Sequence, residues 1–593
     1  MAEEKRLSIE EASLSGSTGH IEKTHTDSKA ATVPESERRV PSDDDEYEVT
    51  AKTWVVVSVL ALSYAISFFV VPTVSYVQST IATQLGSPQD ATWFISVIEI
   101  TVATSFMICG ANSDLFGRRY FIIAGNVLLF IGFLIAGTAK GTKQLIAGMC
   151  FIGFGGGNCQ LAAFALPELL PNKWRHIAVT IADAGIVFCV TVGPVVGRFS
   201  VEPAGSYSWR WLFYGPAIAV AVSFALLVWL YHPPKHPRGV PWHVAIKELD
   251  YLGAILFTSA LTLILTGVVY STYEKSNNAK VVAPLVVGFV LMILFALWER
   301  YGNLKQPLTP THIFTAKNGR DFTAPFISGL CVCMFYFGSN VVWPIMIDEI
   351  FTTETTNFRY ALLLTLPQSL GYVLGAFLLV TFGTRIGNAI GWKWEYVGVV
   401  SWMSFWGAML AYSNTPERKS SAMAFIFLSL MGYGWAQYLS IAYIQFGADQ
   451  KELGIAGGLA GVARNAGGAI AVGVYSTVLK NTQGSRAASL VPKVAIAAGL
   501  PSSSVPAVLK ALPLGSKALQ AVPGMNSKIA AAVGIAWRES YGWGLRATAF
   551  TSIAFGVICI VSALCCVEIR PKMNNRIEIF LENDTHADMN EFH

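Results

Sequence analysis

The feature that most constrains this chain is a repetition. Stretches of about 20 apolar residues, the length a helix needs to cross roughly 30 Å of hydrocarbon, recur along it. Fourteen are read, near 54–76, 91–110, 120–138, 144–169, 177–197, 210–231, 251–270, 281–299, 322–346, 360–382, 395–412, 421–444, 455–478 and 543–567. Backbone amides and carbonyls in lipid must bond within their own segment, so these stretches predict helices. With 53% hydrophobic and 13% charged residues and a mean hydropathy of +0.48, the chain is too apolar for a set of soluble domains. The fold class read here is an all-α polytopic membrane protein.

Charge and sulfur exclude other classes. A net charge of +4 over 593 residues leaves no basic stripe for nucleic acid. No Gly-Lys dipeptide occurs, hence no phosphate-cradling loop, and ATP is not expected as a partner. The nine cysteines all fall in or at the ends of apolar runs and read as small buried hydrophobes, so neither metal nor cofactor is expected. The nine histidines fall in tails and loops, which argues against a proton relay through an intramembrane histidine. No cluster of nucleophile, base and orienting group is present, so no catalytic residue is assigned.

Residues 1–50 are polar, end in the acidic run Ser42 to Glu48, and read as a disordered tail without a removable signal peptide. The polar residues 568–593 form a second tail. Lys and Arg set the orientation: with the amino terminus inside, fourteen lie in cytoplasmic loops against nine in short outside loops. Both termini are then cytoplasmic, and the sequon at Asn583 carries no glycan. Residues 479–542, rich in Ala, Ser, Pro and Lys, are expected as a long extracellular loop with amphipathic helices on the surface.

Between the second and third stretches the chain reads GANSDLFGRRYFIIAG, Gly110 to Gly125. Glycines there permit a tight turn and close helix approach, and Asp114 can meet a helix amino terminus or a neighbouring arginine. With Gly110, Asp114, Gly117, Arg118 and Arg119, this loop resembles the signature of the major facilitator superfamily, in which it latches a cytoplasmic gate. The fifth stretch, IADAGIVFCVTVGPVVGRF, resembles the Gly-Pro motif of that superfamily's exporters through Gly185, Gly193, Pro194 and Gly197, with Cys189 where a glycine is usual. SWRWLFYGPA, ELDYLGAIL and GLAGVARNAGGAIAVGVYSTVL resemble the sixth, seventh and thirteenth helices of fourteen-span drug:proton antiporters. Around CQLAAFALPELLPNKWRH, Cys159 to His176, the chain is most similar to the fungal trichothecene efflux pump family.

The resemblance implies a major facilitator fold of 14 transmembrane helices in a 6+2+6 plan: six helices over 54–231, two inserted over 250–300, and six over 320–567. TFGTRIGNAIG, Thr381 to Gly391, stands in the second half where the signature loop stands in the first. It further implies secondary transport by alternating access, with a small molecule, protons and the lipid bilayer as partners, in the plasma membrane or alternatively the vacuolar membrane. The leading expectation is proton-coupled efflux of a toxin, secondary metabolite or drug. The alternatives are proton-coupled uptake of iron-siderophore complexes and, lower, a transporter-like membrane sensor.

Ionisable residues in hydrocarbon are costly and mark candidate coupling sites. Glu99 lies eleven residues before Gly110, about 16 Å at helical rise, and so near midplane. Asp183 lies in the fifth stretch and Arg464 in the thirteenth. The first helix lacks the acidic residue common in the family, and Met149 replaces the arginine usual in the fourth. Either Glu99 and Asp183 have taken over coupling, or transport is not proton driven in the usual way. Polar and aromatic residues on apolar helices are candidates for substrate contact or for helix-to-helix bonding: Asn158, Gln160, Tyr336, Asn340, Trp343, Gln368, Tyr433 and Gln437.

Overall fold

The computed structural model describes residues 49–573 apart from 88–89, 163–164, 167–168, 171–174, 202–207, 234–241, 272–273, 275–276, 303, 354–355, 357, 449–451 and 513–515. The side chains of Asp114 and Asp183, and both tail readings in large part, lie outside the described residues. Within these limits the longer helices are α1 Ala51–Phe68, α2 Ala91–Phe116, α3 Arg118–Gly137, α4 Thr142–Gln160, α5 Arg175–Ser200, α6 Trp211–Leu230, α7 Tyr251–Tyr270, α8 Ala279–Tyr301, α9 Thr323–Ile345, α10 Leu366–Leu378, α11 Trp392–Met409, α12 Lys419–Phe446, α13 Leu453–Ala497 and α14 Ser527–Cys565. Eleven helical stretches among the described residues are long and apolar enough to cross a membrane. Helices α4 and α11 fall outside that set, since α4 carries Gly155, Gly156 and Gly157 beside Asn158 and Gln160, and α11 carries Lys393 and Glu395; the described part of α5, Gly185–Ser200, is apolar but shorter.

Small residues set the tightest helix contacts, because a missing Cβ lets two backbones meet. A Cβ on Gly125 of α3 would stand 2.8 Å from Gly155 O of α4. On Gly197 of α5 it would stand 2.5 Å from Thr73 O, in the short helix Val70–Ser75 that continues α1. The Gly-Pro segment of α5 is thus a packing face against α1, and Cys189, at the position of the usual glycine, donates its thiol to Ala65 O at 3.5 Å. Helices α7 and α8 pack on each other, and α7 also touches α2 and α13. Much of α8 faces outward, with Val286, Phe289 and Ile293 exposed, as suits a helix covered by lipid.

Two turns are alike. Gly117, between α2 and α3, has φ 84° and ψ 141°, and Gly391, ahead of α11, has φ 95° and ψ 137°. This backbone region is confined almost wholly to glycine. Gly117 therefore starts α3 directly after α2, and Gly391 does the same for α11.

The segment 479–542 differs from the expected loop. Helix α13 runs on to Ala497 and α14 begins at Ser527, joined through the short helices Val505–Ala511 and Ser516–Gln520. Ala487, Val491 and Ala495 of α13 recur every four residues and share a separate buried cluster with Ile529, Val533 and Ala536 of α14. That spacing puts each set on one helix face, so two alanine-rich helices close on each other as a hairpin instead of lying singly on a surface.

Candidate functional site

Between α1, α2, α4 and α5 on one side and α9, α10, α12 and α13 on the other lies a narrow cavity with about 20 Å³ of open room. The second set holds the same places, eight helices further on, as the first. Mostly buried aromatic and aliphatic side chains line it, with Glu99, Gln160, Arg464 and Asn465 as the longer polar groups.

Glu99 is 4% exposed, and its Oε2 has no hydrogen-bond partner among the described residues. Gln160, 3% exposed, likewise leaves Oε1 without a donor. Facing them from α13, Arg464 donates to Tyr64 Oη of α1 at 3.3 Å and lies over the Phe68 ring at 4.4 Å. A guanidinium held by a hydroxyl and an aromatic face is oriented. The neighbouring Asn465 donates to Gly461 O at 2.8 Å.

Three tyrosines make the opposite wall. Tyr336 of α9 and Tyr433 of α12 stack with ring centres 5.1 Å apart and planes 14° from parallel. Tyr372 of α10 lies 5.6 Å from Tyr433, and its hydroxyl meets that of Tyr438 at 2.6 Å. A wall of this kind offers flat apolar area with little rotamer freedom to lose on binding.

Of the residues singled out by sequence, Glu99, Arg464, Gln160, Tyr336 and Tyr433 meet at this cavity. Asn158, Asn340, Trp343, Gln368 and Gln437 do not line it. Asn158 donates to Phe154 O of its own helix at 3.0 Å. Gln368 donates to Asn340 Oδ1 at 2.7 Å, joining α10 to α9. Trp343 donates to Leu364 O at 2.9 Å, and Gln437 accepts from Cys333 Sγ at 3.5 Å. Sequence reading passed over Tyr372 and Asn465, although Tyr372 stands one helical turn beyond Gln368 and Asn465 adjoins Arg464.

The cavity is bounded along the bundle at both ends. Toward the Gly117 turn, α2 meets α13 backbone to backbone: a Cβ on Gly110 would stand 2.6 Å from Gly458 Cα. Arg118 there is buried, while Arg119 donates to Val228 O at 2.9 Å, satisfying a carbonyl in the last turn of α6. Toward the other end, Arg198 of α5 pairs with Asp348, beyond α9, at 3.1 Å and lies over the Tyr76 ring. Ser369 of α10 donates to Val190 O of α5 at 3.2 Å.

A mostly apolar cavity between two matched helix sets can take up a small molecule and carry it between sides if its walls part and its two ends open in turn. Known proteins agree with that reading. Residues 30–591 match the family model described as fungal trichothecene efflux pump. An MFS-type transporter, prx5, of Penicillium rubens is 40% identical over 556 residues, covering 93% of this chain and 98% of that one. The trichothecene efflux pump TRI12 of Fusarium sporotrichioides is 25% identical over 540 residues, covering 89% and 88%. Among solved structures, the proton:xylose symporter XylE of the major facilitator superfamily superposes with a TM-score of 0.53 at 13% identity, covering 87% of this chain and 95% of that one, which shows the shared fold. The chain is a multi-pass membrane transporter and not an enzyme, and it belongs to the fungal trichothecene efflux pump family.

Proposed function

We propose that this protein exports a small, largely apolar compound such as a secondary metabolite or toxin, exchanging it for protons. In this reading α1 to α14 all cross the membrane as six, two and six. The amino terminus and the Gly117 turn are cytoplasmic, the α13–α14 hairpin is extracellular, and the plasma membrane is the site of action.

The observation that carries the coupling is the buried, unpartnered Oε2 of Glu99 in a cavity that it shares with Arg464. A carboxyl oxygen with no fixed partner among the described residues can exchange a proton with whichever side the cavity faces, and the guanidinium across from it stabilises the anion while the proton is away. Substrate rests against the tyrosine wall. Alternating opening at the Gly110–Gly458 contact and at Arg198–Asp348 then exposes it to one side at a time. Asp183 shares the coupling in this account, near the Gly117 end of α5.

Membership of an efflux pump family and the names of its relatives support export over siderophore uptake. The test is flux in proteoliposomes under an imposed pH gradient, with a trichothecene and a ferric siderophore measured in parallel. The trichothecene is expected to move against the proton flow. Siderophore movement in the direction of proton flow, with no toxin movement, contradicts the proposal.

A further inference from the structure

The outward face of α14 changes character along its length. Trp543, Phe550, Ile553, Val557, Val561 and Leu564 are all exposed, and with Arg546 they recur every three or four residues, which puts them on one stripe of the helix. Leu564 lies 21 residues after Trp543, about 31 Å at helical rise and so close to the thickness of the hydrocarbon. The apolar part of the stripe therefore meets lipid tails, and Trp543 stands where tails give way to headgroups, the level that tryptophan favours.

Two cations gather at that level. Arg486 of α13 places its Cζ 4.3 Å from the centre of the Trp543 ring, and Arg546 places its own 5.7 Å from the same ring and 5.5 Å from that of Phe550. The two helices are locked together nearby: Gln483 donates to Ser540 Oγ at 3.2 Å, and a Cβ on Gly544 would stand 2.9 Å from Leu479 O. Ring contacts orient both guanidinium groups, yet both side chains are exposed and neither is paired with a carboxylate among the described residues. Residues 479–550 carry eight Lys or Arg against the single carboxylate of Glu539, so the chain has little negative charge of its own to offer here.

We propose that Arg486 and Arg546, gathered at the Trp543 ring, form a binding site for the headgroup phosphate of an anionic phospholipid in the leaflet on the hairpin side, with its acyl chains along Phe550, Ile553 and Val557. The planar fork of a guanidinium matches phosphate oxygens, and a weakly hydrated cation gives up little on leaving water for the headgroup layer. A choline headgroup brings a third cation that the two arginines repel, which selects for a lipid of net negative charge. The apolar stripe selects for a lipid over soluble phosphate. A lipid so held bridges α13 and α14 at the base of the hairpin. The site requires that α14 span the bilayer, and it does not depend on the substrate, the direction of transport or the coupled proton.

The test is native mass spectrometry of the full chain in detergent, titrated separately with dioleoyl phosphatidylglycerol, dioleoyl phosphatidylcholine and glycerol phosphate. The wild type is expected to retain one more phosphatidylglycerol than the double variant Arg486→Gln/Arg546→Gln, whose affinity at that site should fall at least about tenfold. Phosphatidylcholine should bind both proteins alike, and glycerol phosphate should leave no adduct. Lys493 is exposed and lies seven residues, about 10 Å, further along α13 than Arg486, beyond the headgroups, so Lys493→Gln should behave as the wild type. Equal phosphatidylglycerol retention in the wild type and the double variant overturns the site. An equal loss in Lys493→Gln overturns it as well, since attraction is then diffuse charge on the hairpin, and glycerol phosphate bound as tightly as phosphatidylglycerol overturns its assignment to a lipid. The three substituted positions are exposed, and unchanged phosphatidylcholine binding reports that each variant is folded.

Discussion

Arg198 Nη2 stands 3.1 Å from Asp348 Oδ1, joining the end of α5 to the turn that follows α9. Arg198 is largely buried and Asp348 is 57% exposed, so solvent and salt screen the pair. Asp348→Asn should shift the balance toward opening at this end by no more than about fivefold, since such pairs are worth roughly 0.2–1 kcal/mol. Labelling of a cysteine introduced at Val71, which lines the cavity, by a membrane-impermeant thiol reagent is the check. The labelling rate should rise in Asp348→Asn, and high salt should raise it in the wild type.

Gly117 and Gly391 share a backbone conformation that side chains rarely adopt. At Gly391 a Cβ would in addition stand 2.9 Å from Glu568 Oε2, the carboxylate that accepts from Trp392 N and Lys393 N at the start of α11. Gly391→Ala should therefore destabilise the protein by about 1–3 kcal/mol. Gly398→Ala, in the middle of α11 with open space around the new methyl, should be neutral or stabilising by up to about 1 kcal/mol. Unfolding midpoints of the two variants distinguish the cases.

The stacked Tyr336 and Tyr433 provide the flat wall of the cavity. Tyr433→Ala removes one ring of the stack and should weaken substrate binding about tenfold, raising KM more than it lowers kcat. Tyr433→Phe keeps the ring and should retain most of the affinity. Direct binding of a trichothecene by calorimetry checks both.

Val491 and Val533 are fully buried in the cluster that closes the α13–α14 hairpin. Val491→Asp places a charge in that cluster and should open the hairpin locally while the membrane helices stay folded. Limited proteolysis should then cut within residues 498–526 at least about tenfold faster than in the wild type, following from a loss of 1.4 kcal/mol or more.

The helical class was legible because lipid permits a backbone so few solutions: long apolar runs announced the helices, and the glycine spacing of the Gly110–Gly125 loop announced the turn at Gly117. The hairpin was not, because its helices carry lysine, serine and proline among the alanines and so fall below the hydropathy of a span; its signal was the fourfold spacing of Ala487, Val491 and Ala495. Within the site, charge in hydrocarbon pointed to Glu99 and Arg464. Their shared cavity depends on packing across the two helix sets, as the contact between Tyr64 and Arg464, 400 residues apart, shows. Asn158, Gln368 and Gln437 were indistinguishable by sequence from cavity residues, because an amide that bonds neighbouring helices and one that meets a ligand look alike on an apolar helix.

Whether Glu99 exchanges the coupled proton is decided by Glu99→Gln in proteoliposomes, comparing pH-driven accumulation of a trichothecene with its exchange across the membrane at equal concentrations. Gln keeps the size and hydrogen-bonding capacity of the side chain but cannot release a proton. Exchange should persist in Glu99→Gln while accumulation driven by the gradient falls to background. Accumulation at the wild-type rate in Glu99→Gln contradicts it and returns Glu99 to a packing role.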